Sequence, residues 1–185
     1  EFFFQLFKRC MAEYARIDIQ EVENSDLIMD INDVFAYMYS ILEHYKYVEN
    51  VDEAQFVKIA FDTYFESEHK FHYIKQKTHK YLKKKRAQGY KIYMVSDFYC
   101  SADVLKRWLK MLGVEVDSLF DEVFSSLDFK KSKNTGSLYR EVLQKIEANP
   151  KDVKMVGDYY WSDIHMARKQ GLSAKYVFPH IKLDG

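Results

Sequence analysis

Apolar residues in the first part of the chain recur at intervals of three and four, the spacing of one helix face. Three stripes of this kind are Phe3, Phe7, Cys10 and Tyr14; Ile31, Val34, Phe35, Met38, Ile41, Leu42 and Tyr45; and Val57, Ala60, Phe61 and Tyr64. A fourth stripe, which predicts a helix that ends at Gly89, is Phe71, Ile74, Thr78, Tyr81 and Leu82. We interpret the stripes as contacts between helices, because such aromatic faces are more often core packing than cofactor sites.

The pattern changes at Lys91, after which short apolar runs alternate with single helical segments. Four runs have the length of buried parallel strands, at residues 92–95, 122–125, 153–156 and 174–177. Helical spacing lies between them, at residues 102–112, 138–146 and 162–171. This alternation predicts parallel strands joined by crossover helices. The sequence therefore predicts an α/β fold with an all-helical subdomain over residues 1–72 and a Rossmann-like parallel sheet within residues 73–185.

Charge divides the chain at nearly the same place. Residues 1–70 contain 6 Lys and Arg against 15 Asp and Glu, whereas the remainder contains 22 against 13, so the net charge is zero. The basic part suits an anionic ligand, and zero overall charge disfavours a nucleic-acid partner. No apolar run approaches about 18 residues, which disfavours a membrane span. Cys10 and Cys100 lack paired metal-ligand spacing, so we expect reduced thiols and a cytoplasmic location.

Polar residues follow the predicted strands at the edge where α/β sheets gather ligands. Ser96 and Asp97 follow the first strand, Asp158 follows the third with Asp163 five residues later, and Lys133 lies between them in the chain. Two carboxylates can hold Mg²⁺, which takes its remaining ligands from water and phosphate oxygens. A hydroxyl and an ammonium can hold those phosphate oxygens and offset charge during phosphoryl transfer.

Each of these residues also has an ordinary structural interpretation. A serine after a strand is commonly a turn or cap residue. Asp163 fits the first turn of a helix, where the dipole favours a carboxylate, and Lys133 fits a solvated loop. Only the combination of all of them along one edge indicates a phosphate and magnesium site.

Three segments resemble motifs of the haloacid dehalogenase (HAD) superfamily. Residues 91–97 resemble its second motif, residues 133–139 its third and residues 156–163 its fourth, in the family's order and spacing. The resemblance implies a HAD-like core in which the catalytic residues are Ser96, Lys133 and Asp158. It further implies that phosphate is bound by Ser96, Asp97 and Lys133, and that Mg²⁺ is held by Asp158 and Asp163.

The helical residues before these motifs are similar to the caps that HAD enzymes insert between their first and second motifs. A cap opening found in bacterial members, some of them joined to polysaccharide-synthesis proteins, resembles Arg9, Ala12, Glu13, Ala15 and Arg16. We therefore expect residues 1–72 to form a cap subdomain.

The first motif of the family, which carries an aspartate nucleophile, has no match on a predicted strand. Its nearest counterpart is residues 27–34, but the unbroken helical stripe from Ile31 to Tyr45 argues against Asp30 as the nucleophile, and Asp33 suits a first helical turn. In the resembled fold this motif ends a central strand, without which inner strands keep unpaired backbone groups. We therefore expect the strand and its nucleophile to precede Glu1 in a longer parent protein.

The sequence is compatible with two functions. The first is a Mg²⁺-dependent phosphohydrolase that acts on a small phosphorylated metabolite through an aspartyl-phosphate. The second is a non-catalytic HAD-fold module with an interaction or regulatory role in a larger glycan-synthesis protein, which the missing aspartate favours. A nucleotide-binding domain of another kind is disfavoured, because no glycine-rich loop follows a strand.

Overall fold

The computed structural model describes residues 2–21, 26 and 28–178. Its first part is helical, as the stripes predict, and contains α1 (Phe2–Glu21), α2 (Ile31–His44), α3 (Glu53–Phe71) and α4 (Gln76–Ala87). The start of α2 is fixed by Asp30, whose carboxylate accepts a hydrogen bond from the backbone N–H of Asn32 at 2.9 Å. Asp30 is thus the cap of α2, and the helix predicted from Ile31 is confirmed.

The fourth stripe predicted one helix from Phe71 onward, and this prediction was wrong at its start. The structure ends α3 at Phe71 and begins α4 at Gln76, with extended backbone at His72 and Lys75. The apolar stripe crosses this break because Ile74, which lies between the two helices, still packs against the hydrophobic core. The predicted boundary between residues 72 and 73 lies within this connection.

The four predicted strands are all present, each within one residue of its predicted bounds. They are β1 (Tyr93–Ser96), β2 (Glu122–Ser125), β3 (Lys154–Gly157) and β4 (Ser173–Tyr176). The connecting helices are α5 (Ala102–Met111), α6 (Val116–Leu119), α7 (Ser126–Phe129), α8 (Ser137–Lys145) and α9 (Ala167–Lys169). The helix predicted over residues 162–171 is instead a π-helical segment, Tyr160–Met166, that runs into the short α9. π-helical segments are rare and are often found at functional sites.

The strands pair in parallel, β1 with β2 and β3 with β4. Within the described part of the chain they form two sheets of two strands each, and β1 and β3 share no ladder. The prediction of α/β architecture with parallel strands is therefore confirmed. The lack of a ladder between β1 and β3 matches the expectation that the central strand is not among these residues. Within each pair the carboxyl ends of the two strands lie side by side: Ser96 is beside Ser125, and Gly157 is beside Tyr176.

Separate apolar clusters hold these elements together. One is formed mainly by α1 and α2 around Cys10, Val34 and Leu42, which are fully buried. Another joins α3 to α5 through Phe65 and Trp108, and so packs the helical part against the β1–β2 unit. No helix in the described ranges has the length and apolar character needed to cross a membrane.

Candidate functional site

The loop between α7 and α8 lies against the residue that follows β1. The backbone N–H of Lys133 donates to both carboxylate oxygens of Asp97, at 3.0 and 3.2 Å. Burial raises the pKa of Asp97 even though Lys133 opposes the shift, and the negative charge of Asp163 raises it further. The two sequence-predicted residues Asp97 and Lys133 are thus in direct contact, although the carboxylate of Asp97 binds the loop backbone.

The side chain of Lys133 extends from this loop to the π-helical segment. Its Nζ lies 2.7 Å from Oδ1 of Asp163, and the two side chains are only 12% and 6% exposed. The other carboxylate oxygen, Oδ2, accepts from the backbone N–H of Tyr159 at 3.1 Å, and the hydroxyl of Ser162 lies 3.3 Å from Oδ1. Asp163 is therefore a buried carboxylate that orients an ammonium, a stronger role than a simple first-turn acid.

Glycine at position 157 makes room for that carboxylate. A Cβ atom built at Gly157 would overlap the Asp163 side chain, including its carboxylate. The last residue of β3 must therefore lack a side chain for Asp163 to fold back onto the strand end.

Asp158 has a different environment from Asp163. Its side chain is 49% exposed, and its Oδ2 lies 2.8 Å from Nζ of Lys75, in the extended connection between α3 and α4. Nothing in the sequence pattern singled out Lys75, which lies 83 positions away from its partner. An ion pair thus joins Asp158, a predicted metal ligand, to the connection between α3 and α4.

Asp158 and Asp163 offer carboxylate oxygens, the kind of ligand that Mg²⁺ takes in proteins. Among residues 2–21, 26 and 28–178, no three His, Cys, Asp or Glu side chains stand together as a closed metal site would require. Mg²⁺ is nonetheless commonly held by one or two carboxylates, with water and phosphate oxygens as its other ligands. The carboxylate oxygens of Asp158 and Asp163 are therefore of the type that Mg²⁺ binds, and in this structure both side chains contact lysines.

Ser96 lies at the end of β1, directly before Asp97. Its hydroxyl oxygen accepts a hydrogen bond from the backbone N–H of Phe98 at 3.1 Å, which is the turn geometry of the ordinary structural interpretation.

The structure links three of the predicted site residues, Asp97, Lys133 and Asp163, by direct contacts. Ser96 is next to this group along the chain, and Asp158 is paired with Lys75. The catalytic and binding roles of these residues stay predictions.

One further acidic residue contacts the same loop and was missed by sequence reasoning. Asp26 accepts hydrogen bonds from the backbone N–H of Ser132 at 3.0 Å, from the hydroxyl of Ser137 at 2.6 Å and from the hydroxyl of Thr135. Its partners lie more than a hundred positions away, so no local pattern could have identified it.

Comparison with known families gives one match over most of the chain. The family model described as haloacid dehalogenase-like hydrolase matches residues 1–177. Among curated proteins, the glyceraldehyde 3-phosphate phosphatase of Pyrococcus abyssi is 29% identical over 106 residues, which cover 56% of this chain and 42% of that protein. The match therefore spans less than half the length of this relative.

Solved structures share the fold at much lower sequence identity. A 2-haloacid dehalogenase from Pseudomonas syringae pv. Tomato DC3000 superposes with a TM-score of 0.67 at 16% identity, covering 98% of this chain and 70% of that one. A HAD-family enzyme from Bacteroides thetaiotaomicron, in complex with magnesium and inorganic phosphate, gives a TM-score of 0.57 at 17% identity, with 96% and 89% covered. At such identities the similarity shows the fold alone.

Proposed function

This chain belongs to the haloacid dehalogenase-like hydrolases, and from that membership we propose that it forms part of a Mg²⁺-dependent phosphohydrolase for a small phosphorylated metabolite. The observation that carries the proposal is the contact series from Asp97 through Lys133 to Asp163 at the strand ends. The phosphatase activity named for the Pyrococcus abyssi relative supports phosphate esters as the substrate class.

Each residue has a role that its environment supports. Lys133, held by a buried carboxylate, places an ammonium where it offsets phosphate charge. Ser96, at the end of β1, offers a hydroxyl to a phosphate oxygen, and Asp97 fixes the backbone of the lysine loop. Asp158 and Asp163 would hold Mg²⁺, with the accessible Asp158 as the more direct ligand. When bound, the cation would neutralise phosphate charge and help to orient the phosphoryl group.

We also propose that the nucleophile is an aspartate on a segment that precedes Glu1. Its carboxylate oxygen would form a bond to phosphorus while the ester P–O bond breaks, and the leaving alkoxide would take a proton from water. Water would then cleave the aspartyl-phosphate to release inorganic phosphate. The separation of β1 from β3 in the described residues leaves one edge of each without a strand partner, which is compatible with an additional strand there.

The proposal is tested by phosphate release from a panel of phosphorylated small molecules with the natural full-length protein. Lys133→Ala and Asp158→Asn should each reduce kcat/KM by about a hundredfold, a loss in the range found when one electrostatic contact to a transition state is removed. Matched controls are Lys154→Ala and Asp152→Asn, whose side chains are exposed near the opposite end of β3. Unchanged turnover in Lys133→Ala and Asp158→Asn would reject these roles.

A second candidate is a non-catalytic interaction or regulatory module within a larger glycan-synthesis protein. It is favoured by one observation: both proposed metal ligands, Asp158 and Asp163, are already paired with lysines of the same chain. The two candidates differ in their response to Mg²⁺ together with a phosphate-mimicking fluoride salt. The enzyme should gain several degrees in its thermal midpoint, because the ligands bind only the folded state, whereas the module should gain none.

We propose a cytoplasmic location and a small anionic ligand for this chain. Both cysteines, Cys10 and Cys100, are free and buried, which is compatible with the reducing cytoplasm. Burial also raises the pKa of Cys100 to about 12, so its thiol has little nucleophilic character. With zero net charge, the protein is expected to bind a small anionic metabolite and neither nucleic acid nor membrane.

A further inference from the structure

Asp26 is the centre of a hydrogen-bond cluster that holds the loop before α8. Oδ1 of Asp26 accepts from the backbone of Ser132 and from the hydroxyls of Thr135 and Ser137, while Nζ of Lys131 lies 3.8 Å from Oδ2. The side chain of Asp26 is only 9% exposed. A single carboxylate therefore contacts four residues of one short loop.

The two hydroxyl groups have alternative acceptors within the loop. The Thr135 hydroxyl also lies 3.2 Å from the carbonyl oxygen of Ser132 and 2.9 Å from the hydroxyl oxygen of Ser137, and the Ser137 hydroxyl lies 3.3 Å from the same carbonyl. Each hydroxyl has one proton, and a carboxylate is a stronger acceptor than a neutral carbonyl. Both hydroxyls therefore favour Asp26 over the neutral oxygens nearby, so its negative charge helps to hold the loop.

The loop held in this way is the one that carries Lys133. Two consecutive backbone N–H groups donate to different carboxylates. The N–H of Ser132 donates to Asp26, and the N–H of Lys133 donates to Asp97. From this doubly held backbone the Lys133 side chain extends to Asp163. Asp97 follows β1, whereas Asp26 lies in the connection between α1 and α2.

We propose that Asp26 is a positioning residue for Lys133, which it keeps where the ammonium can reach the substrate phosphate. The inference rests on the proposed phosphohydrolase function. It assigns to the helical first part of the chain a direct contribution to the phosphate site through the loop of residues 131–137. A residue that only stabilises the loop would make the same contacts. A positioning residue differs in one respect: its removal weakens phosphate binding, and it does so only while Lys133 is present.

The test measures the dissociation constant of inorganic phosphate by titration calorimetry, in the presence of Mg²⁺, with the natural full-length protein. Asp26→Ala should weaken binding about tenfold, because it removes a charged acceptor from buried donors, and Asp26→Asn about threefold, because the amide oxygen still accepts. The same Asp26→Ala change in a Lys133→Ala background should weaken binding no further, since residues that act through one another are not additive. Asp33→Asn, at an exposed acid in α2, is the matched control and should leave the affinity unchanged.

The outcomes separate this inference from the proposed function. If Lys133→Ala weakens phosphate binding but Asp26→Ala does not, or if the two losses add, the positioning role is overturned and the phosphatase proposal stands. If Lys133→Ala itself leaves phosphate binding unchanged, the proposed phosphate site is rejected and the role of Asp26 with it. Should Asp26→Ala fail to fold, Asp26→Asn decides: a threefold loss that disappears in the Lys133→Ala background supports the role, and any other result overturns it.

Discussion

Nζ of Lys133 lies 2.7 Å from Oδ1 of Asp163, and this ion pair is almost completely shielded from solvent. A buried charge is tolerated only while its partner is present, because the isolated ion has lost its hydration. We therefore predict that Asp163→Ala lowers the free energy of unfolding by about 3–5 kcal/mol, measured by urea denaturation without Mg²⁺. Adding Lys133→Met should recover much of that loss.

The exposed pair between Lys58 and Asp62 in α3 serves as the control for this prediction, since Asp62→Ala should give no measurable change. An Asp163→Ala variant as stable as the unaltered protein would contradict the burial of the pair.

Gly157 is predicted to be intolerant of even the smallest side chain. The methyl group of Gly157→Ala would occupy the space of the Asp163 carboxylate, which would have to leave its bonds to Lys133 and Tyr159. Overpacking of this kind costs about 1–3 kcal/mol, and calorimetric unfolding should show the loss. Lys154→Ala, at an exposed position of the same strand, should be nearly neutral. Equal stability of the two variants would show that Asp163 does not need the glycine.

Lys75 should compete with a cation for Asp158. Its ammonium lies 2.8 Å from Oδ2, in a pair exposed enough to be worth at most about 1 kcal/mol. Lys75→Met should therefore bind Mg²⁺ about two- to fivefold more tightly by titration calorimetry, with the natural full-length protein. Lys77→Met removes an exposed lysine from the first turn of α4 and should leave the affinity unchanged. Weaker Mg²⁺ binding by Lys75→Met would contradict the prediction that Lys75 and Mg²⁺ compete for Asp158.

The sequence located the strands because each is a short apolar run ended by polar residues, as in the segment that closes with Ser96 and Asp97. It also separated Asp30, a helix cap, from the candidate nucleophiles, because the apolar stripe of α2 begins at once beyond it. Both conclusions depend on interactions within a few residues.

The remaining features depend on contacts that no local pattern encodes. Asp26 meets Ser137 across 111 positions, and Lys75 meets Asp158 across 83. Only the fold brings these pairs together, and an isolated acid or lysine has no sequence signature of such a role. The break between α3 and α4 was missed for a related reason, since Ile74 keeps helical spacing while it packs from an extended segment.

The two carboxylates that hold the lysine loop should respond to pH in opposite directions. Burial opposes the ionisation of Asp26, but hydrogen bonds from Ser137 and Thr135 outweigh it and hold its pKa below the ordinary value of 3.8. Its contribution to stability is therefore present above pH 3.8 and lost as the pH falls through the lower folded-state pKa. Burial instead raises the pKa of Asp97 above 3.8, so its contribution is present below pH 3.8 and lost as the pH rises through the higher folded-state pKa.

We predict that this opposition is visible when the unfolding free energies of Asp26→Asn and Asp97→Asn are measured by urea denaturation over a range of pH. Relative to the unaltered protein, Asp26→Asn should be less stable near neutral pH, and its deficit should shrink as the solution becomes more acidic than pH 3.8. Asp97→Asn should gain relative stability as the pH rises above 3.8, because the amide never takes on the buried charge. Each variant controls for the other, since both replace a carboxylate by an amide against the same loop. Parallel pH profiles would mean that the two acids share one environment, in conflict with the different bonds that surround them.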